Sequence, residues 1–334
     1  MPPRTRPRPV AGSVAELLER AESRAPLEDV DGKSGALLER VVIDGEPYVL
    51  KLVDRRRDWI ARQVGDVCVL PVIVWEHGVV DLAPDVIDHT IVGAARGTDG
   101  TAVLMRDAGH DLVPPGDDPI PLEQHVRFLG HMAALHAGAW AWTDDVGLVP
   151  LSNRYLFFAP ASLELELAAP APPPPVVSLA ADGWARLPDR SPELAAVVFP
   201  LLAEPWAFVD ALAAEPSTFL HGDWKLGNLG TARDGRTVLV DWSLPGAGPP
   251  CTDLVHYVVL NRARLPVGHT KEDAFAAYRS AITRHGIDTE PWWDRQLALC
   301  MLGAMLQLGW EKALGDDDEL AWWTERALEG ARLL

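Results

Sequence analysis

His221-Gly222-Asp223-Trp224-Lys225-Leu226-Gly227-Asn228, with Val238-Leu239-Val240-Asp241-Trp242 placing a second carboxylate eighteen residues after Asp223, carries more information than any other stretch of the chain. An Asp, an Asn five residues on and a second Asp closing an apolar strand form the residue set that phosphoryl transfer requires. That chemistry needs little covalent help and much positioning and charge neutralisation around the transferring phosphate. One carboxylate must face an acceptor hydroxyl, while an amide and a second carboxylate must hold a divalent cation. In this pattern Asp223 is the catalytic carboxylate and Asn228 and Asp241 are the Mg²⁺ ligands, with Asp241 bridging metal to the β- and γ-phosphates. Lys225 then points at the transferring phosphate. Each residue alone has a plainer use: His-Gly-Asp occurs in turns, Asp-Trp after an apolar run can open a loop, and Lys225 can be a solvated cation. Order, spacing and apolar framing together point to phosphotransfer.

The same residues carry a family likeness. His221-Gly222-Asp223 with Asn228, Val240-Asp241-Trp242, then Gly246, Gly248-Pro249 and Asp253-Leu254 resemble the aminoglycoside phosphotransferase and choline kinase family of protein-kinase-like small-molecule kinases. The resemblance is close over a block of about 35 residues and holds in outline elsewhere. It implies an α+β, bilobal protein-kinase-like fold with a small antiparallel β-sheet N-lobe and a larger, mainly helical C-lobe. It implies ATP as donor, with GTP equally open, and Mg²⁺. It also implies structural roles for His221 and Asp253, which tie the catalytic loop to the helix beyond. Lys225 departs from the family and looks more like the lysine of Ser/Thr protein kinases.

Residues 1–106 are expected to form the nucleotide-binding lobe, with 1–10 a disordered tail. Ser13 and Glu16 form a capping box for a helix running to about Glu22. Two β-branched runs, 36–43 and 48–53, flank Asp44-Gly45, a hairpin turn signal. Lys51 in the second run stands where a kinase small lobe supplies its phosphate-binding lysine, with a snorkelling strand lysine as the alternative. Just before the hairpin, Ser34 and Gly35 are candidate nucleotide contacts in a glycine-containing loop that otherwise reads as a β-turn. The glutamate that normally pairs with the lysine is missing: 54–64 offers only Asp54 and Asp58. Asp58 from a shifted helix, a partner from another segment, or no partner at all are the options. A second hairpin, 90–95 and 101–105 around Gly97-Thr98-Asp99-Gly100, leads to a hinge, where the resemblance makes Met105, Arg106 and Asp107 the nucleobase contacts.

Residues 107–334 are expected to form the catalytic and acceptor-binding lobe. Leu122, Val126, Leu129, Ala133 and His136 recur at helical spacing, predicting a helix over 121–136 with that face in the core. His136 reads as a structural hydrogen bonder. Five prolines in 170–175 predict a surface loop over 168–178. The apolar run 297–308 reads as a buried helix, being shorter than the roughly 20 residues of a membrane span. Thr270 and Asp273 cap a helix running to Arg284 and stopped by Gly286. Asp316, Asp317, Asp318 and Glu319 read as a helix cap in preference to an ammonium-binding cluster. Tryptophans are paired at 140/142, 292/293 and 322/323; adjacent helical residues do not share a face, so at each neighbouring pair at least one ring is expected to lie away from the other's environment, which leaves room for one exposed indole.

Composition sets the outer bounds. A chain of 334 residues, 48% hydrophobic, is long enough for two lobes, and a net charge of −18 disfavours nucleic acid and anionic membrane while suiting a cationic acceptor. Three scattered cysteines argue against a zinc site or disulfide framework and suit a cytoplasmic protein. Only eleven residues separate Asp241 from Asp253, too few for the peptide-docking segment of a protein kinase, so a small hydroxylated acceptor is expected. A nucleotide-binding pseudokinase that regulates a partner is the alternative, motivated by the missing glutamate. Oligomeric state is not legible.

Overall fold

The computed structural model describes residues 5–27, 36–170, 172–261 and 264–334. Ser34 and Gly35 lie outside the described residues. The N-terminal region is a five-stranded antiparallel sheet in the order Ala21–Pro26, Leu37–Ile43, Glu46–Leu52, Gly100–Arg106, Ile91–Gly97. Asp44 and Gly45 both take positive φ, 53° and 77°, the geometry of a tight hairpin turn whose twist matches the strands it joins. Alternation then divides the strand: Leu50 lies opposite Leu104 in a small outer core with Val14, Val41 and Ala95, while Lys51, opposite Val103, faces the other way.

The expected helix over 13–22 is cut to one turn, Val14–Leu17. Ser13 caps it by accepting from Glu16 N at 3.0 Å, but the Glu16 carboxylate takes Gly12 N, one residue away from the box the sequence implied. From Ala21 the chain gains a ladder of backbone bonds along Leu37–Ile43, a tertiary gain that outweighs helix propensity in so short a segment. Residues 5–10 are not a free tail. Arg8 N donates to Glu76 O at 2.9 Å, the Arg8 guanidinium lies 4.5 Å from the Trp75 ring centroid and pairs with Asp81, and Trp75 Nε1 donates to Pro9 O at 2.9 Å. Indole and carboxylate partners hold a basic, proline-rich strap that composition alone made look unstructured.

The short helix Trp59–Gln63 packs on the C-terminal region. Trp59, fully buried, lies 6.2 and 5.3 Å from the rings of Phe157 and Phe158. Glu166 accepts from Arg62 at 2.5 Å and from Gln63 at 2.9 Å, and Asn153 Nδ2 donates to Val64 O at 3.0 Å.

The C-terminal region is mainly helical and is organised around Trp293–Leu314. At 22 residues this helix extends well beyond 297–308, and it is long and apolar enough by length and composition to cross a membrane; 78% of its apolar window is buried by the protein itself. Helix Leu122–Gly138 forms as expected, with Leu129, Ala133 and His136 of the predicted face buried, but its first turns depart from that face. Leu122 and Val126 are 45% and 47% exposed, and the core face is His125, Phe128, Leu129, Met132, Leu135 and His136. Histidine serves as a core residue here because a hydroxyl partners it: Tyr257 lies 2.9 Å from His125 and Tyr278 lies 2.6 Å from His136. Pro175 starts the helix Pro175–Arg190, so 175–178 is helix and not loop; the first helical turn tolerates a missing N–H. Lys271–Arg284 carries the Thr270/Asp273 capping box, with Gly286 beyond at φ 86°. Asp316 caps Asp317–Ala331 through Glu319 N at 2.9 Å, the cap reading of the acidic cluster. Trp292 and Trp293 are both buried with ring centroids 5.8 Å apart, contrary to the expectation that neighbouring rings lie in separate environments, because Trp292 precedes the helix and is not bound by its periodicity. The exposed indole is Trp206, at 60%.

Candidate active site

Two short antiparallel pairs present the motif residues. Strand Thr218–Leu220 pairs with Gly246–Gly248, and the hairpin Leu229–Thr231 with Thr237–Leu239 follows the 3₁₀ turn Leu226–Asn228. Val240 N donates to Asn228 O at 3.0 Å, so the hairpin brings Asn228 and Asp241 to its open end together. Asp241 sits at φ 62°, a left-handed conformation uncommon outside glycine, at the point where the chain leaves the strand.

Asp253, at the start of Cys251–Asn261 and fully buried, organises the loop from beneath. Its carboxylate accepts from His221 N and Gly222 N, both at 2.9 Å, and lies 3.4 Å from His136 Nε2. Burial pushes its carboxyl up, and His136, Arg154 and His221 more than reverse that, holding it below the ordinary range. His221 packs edge-on against Trp242 at 4.8 Å. The structural roles expected of His221, Asp253 and His136 hold.

Asp223 is 7% exposed and has partners on both oxygens. Oδ1 lies 3.0 Å from His256 Nε2, and Oδ2 accepts from Lys225 Nζ at 2.7 Å and Asn228 Nδ2 at 2.8 Å. Burial raises this carboxyl, but Lys225 and His256 overcome it and keep Asp223 ionised well below the usual carboxylate range. Lys225 is the mirror case: burial pulls its ammonium down, and Asp223 and Asp241 carry it above its ordinary value. The predicted trio Asp223, Lys225 and Asn228 is therefore one hydrogen-bonded cluster. His256 was missed by sequence reasoning; the available signal was its place three residues after Asp253, on the same helix face one turn on.

Across the cleft, Lys51 Nζ donates to Asp241 Oδ1 at 2.7 Å and to Ser243 Oγ at 3.0 Å, and Ser243 Oγ in turn donates to Asp241 Oδ1 at 2.6 Å. Burial raises the Asp241 carboxyl and Lys51 brings it below the ordinary range. The carboxylate partner of Lys51 thus comes from another segment, 190 residues away. Asp58 does not substitute: its Oδ1 caps Trp59–Gln63 by accepting from Ala61 N at 3.0 Å. It still lines the cleft, with Asp66, Asp223, Asp241 and Ser243. Burial pushes the Asp58 carboxyl above its usual value, opposed by the Ala61 bond and by Lys51.

The hinge residues are placed but their side chains are engaged. Arg106 pairs with Asp88 at 2.7 Å and Asp111 at 3.4 Å, and Asp107 accepts from Arg40 Nε at 3.1 Å and Gly109 N at 3.0 Å. The backbone N–H of Arg106 donates to Thr90 O at 2.8 Å and that of Asp107 to Pro47 O at 3.2 Å. Met105 lies between Val49 and Ile91 in the sheet.

A sheet lobe and a helical lobe, with a carboxylate–lysine–amide cluster facing a lysine–carboxylate pair across the cleft, define a kinase-type phosphotransferase. The model of the phosphotransferase enzyme family, APH, matches residues 34–288, and the chain belongs to that family. Its fold is similar to that of the choline kinase LicA from Streptococcus pneumoniae, at 12% identity over 96% of each chain with a TM-score of 0.50. LicA has also been solved in complex with AMP, where 12% identity covers 96% of this chain and 99% of that one, again with a TM-score of 0.50. A thermostable mutant of the aminoglycoside phosphotransferase APH(4)-Ia, in apo form, is similar at 14% identity over 95% of this chain and 97% of that one, TM-score 0.50. At these identities the likeness is one of fold. No curated protein matches the chain.

Proposed function

We propose that the chain transfers the γ-phosphate of ATP, assisted by Mg²⁺, to a hydroxyl of a small, cation-bearing molecule. The observation that carries this is the pairing of the Asp223–Lys225–Asn228 cluster with the Lys51–Asp241 pair in one cleft. Asn228 and Asp241 would hold the cation. Asn228 uses Nδ2 for both of its bonds to Asp223, which keeps its amide oxygen for a ligand role, and the Asp241 side chain is 36% exposed to the cleft. Among the described residues no group of three or more His, Cys, Asp or Glu forms a metal cage. A two-ligand oxygen site suits Mg²⁺, which keeps several waters and substrate phosphates as its remaining ligands. When bound, the ion neutralises charge on the β- and γ-phosphates.

The protein's own groups divide the remaining work. An ionised carboxylate has about four acceptor sites; His256, Lys225 and Asn228 take three on Asp223. The fourth is available to an acceptor hydroxyl. A carboxylate kept ionised by Lys225 and His256 orients that proton and receives it late, in keeping with a loose phosphoryl-transfer transition state. Lys225 is positioned to accompany the phosphoryl group and Lys51 to neutralise the phosphates nearer the nucleoside. The AMP complex of LicA supports an adenine nucleotide as donor. The segment after Asp241 pairs at once with Thr218–Leu220, which supports a small acceptor over a docked peptide. Asp58 and Asp66 on the cleft wall, with the net charge of −18, support a cationic one. A cytoplasmic location agrees with Cys68, Cys251 and Cys300 as free thiols.

The test is Mg²⁺-dependent ADP release from ATP, with GTP in parallel, across aminoglycosides, amino sugars, hexoses and choline, using Asp223→Ala as background. Stimulation by one acceptor class, abolished in the variant, is expected. Nucleotide binding with no acceptor-dependent turnover in any arm would favour the regulatory pseudokinase.

A further inference from the structure

We infer that Arg154 is a positioning residue whose guanidinium fixes the loop bearing Asp223 against the loop bearing Asp241; the inference rests on the phosphotransfer reading. Arg154 lies in the helix Leu151–Leu156 and is 2% exposed. Its Nη1 donates to Gly222 O at 3.2 Å and its Nη2 to Leu244 O at 2.8 Å. Gly222 immediately precedes the catalytic carboxylate, and Leu244 follows Asp241 by three residues. One rigid planar fork therefore spans both loops.

Two motif glycines make the room for it. A Cβ at Gly222 would lie 1.8 Å from Leu244 O and 2.1 Å from Arg154 Nη1, and one at Gly246 would lie 2.6 Å from Val149 O and 2.9 Å from Arg154 Nη2. None of these four distances is compatible with a Cβ, so the backbone closes around the guanidinium. Arg154 Nε has no partner among the described residues, and the two bonds it does make go to carbonyl oxygens. A buried cation held this way is a poor device for stability, since an apolar side chain of similar size would pack without the desolvation cost. Bridging two loops from one point is what an apolar side chain cannot do. Lysine cannot do it well either, because a single ammonium lacks the fixed fork.

Displacement of a loop by about 1 Å at such a site costs on the order of 10²-fold in rate. The expected signature lies in how metal and nucleotide binding are coupled, because Asp241 is a proposed cation ligand. ADP affinity is measured by calorimetry with and without Mn²⁺ for wild type, Arg154→Lys and Arg154→Met, alongside thermal unfolding. Metal-free ADP affinity should stay within about twofold of wild type, while the gain in affinity from Mn²⁺ should fall about tenfold or more. In Arg154→Ala, millimolar methylguanidinium should restore that gain. An unchanged metal-dependent gain in Arg154→Lys overturns the proposal. So does loss of metal-free and metal-dependent affinity together, in step with loss of folded protein, which marks a purely structural arginine. A wild type whose ADP affinity ignores Mn²⁺ sinks the phosphotransfer reading and this inference with it, an outcome distinct from the other two.

Discussion

Replacing Asp253 by Asn tests whether the catalytic loop is held from below by charge. The carboxylate accepts two backbone N–H groups, His221 and Gly222, each at 2.9 Å in a fully buried setting. Asparagine keeps the shape but has one acceptor oxygen, so one N–H meets an NH₂ donor and is left unsatisfied, at about 1–3 kcal/mol. The remaining bond loses its charge assistance, roughly halving its strength. Relief of the cost of burying a charge offsets part of this. The net destabilisation should be about 2–4 kcal/mol. Urea unfolding followed by the buried Trp224 and Trp242, with far-ultraviolet circular dichroism as a second probe, reads it directly. The Asp253 carboxyl is depressed in the folded state. Its contribution is therefore fully present above the unfolded carboxyl value of about 3.9 and is lost as pH falls through the lower folded value. The difference between wild type and variant should be flat from about pH 5 to 8 and shrink only in stronger acid. A destabilisation below about 1 kcal/mol, or wild-type turnover in the variant, refutes the argument.

Lys51→Met removes the cation that holds Asp241 and should lower kcat/KM by about 10²–10³-fold in the ADP-release assay, the cost of deleting one preorganised electrostatic group; a loss below tenfold would contradict that role. His256→Phe deletes the partner of Asp223 Oδ1, a bond to a charged group worth about 1.5–3 kcal/mol, and should reduce kcat about 10- to 100-fold with the nucleotide KM unchanged; a rise in nucleotide KM alone would place His256 in nucleotide binding instead. Glu166→Gln weakens the clasp to Arg62 and Gln63. Burial raises the Glu166 carboxyl and Arg62 and Gln63 more than reverse that, so its stabilisation exists above the unfolded value and disappears as pH falls through the lower folded one. The variant should lose about 1 kcal/mol in urea at neutral pH, discounted because Arg62 is one-third exposed, and match wild type in acid; a constant difference across pH would rule out the ionic clasp.

Local signals in the sequence suffice where the physics is local. Asp44-Gly45 predicts its hairpin because both positions need positive φ, and Thr270 and Asp273 predict their cap because each side chain reaches only three residues. The spacing from Asp223 to Asn228 to Asp241 encodes one loop and one hairpin. Elsewhere the outcome is decided by distant partners. The helix after Ser13 loses to a strand pairing, and residues 5–10 are held by Trp75 and Asp81. Leu122 and Val126 face outward while His125 turns inward to a buried tyrosine hydroxyl, a partner no periodicity contains.

The glycines of the motif show how far a local reading goes before geometry must take over. Gly222 reads as a turn residue, and its φ of 83° agrees. Yet permissive backbone would also be served, at some cost, by Asn. The stronger constraint is the Arg154 guanidinium and Leu244 O lying where a Cβ would be, and that constraint involves residues 68 positions before it and 22 after it in the chain. Gly246 has no positive φ and no turn argument at all; its requirement comes entirely from Val149 O and the same guanidinium. A substitution such as Gly246→Ala is therefore a packing change at the active site, transmitted through Arg154 to the Asp223 and Asp241 loops, and not a change in local backbone preference.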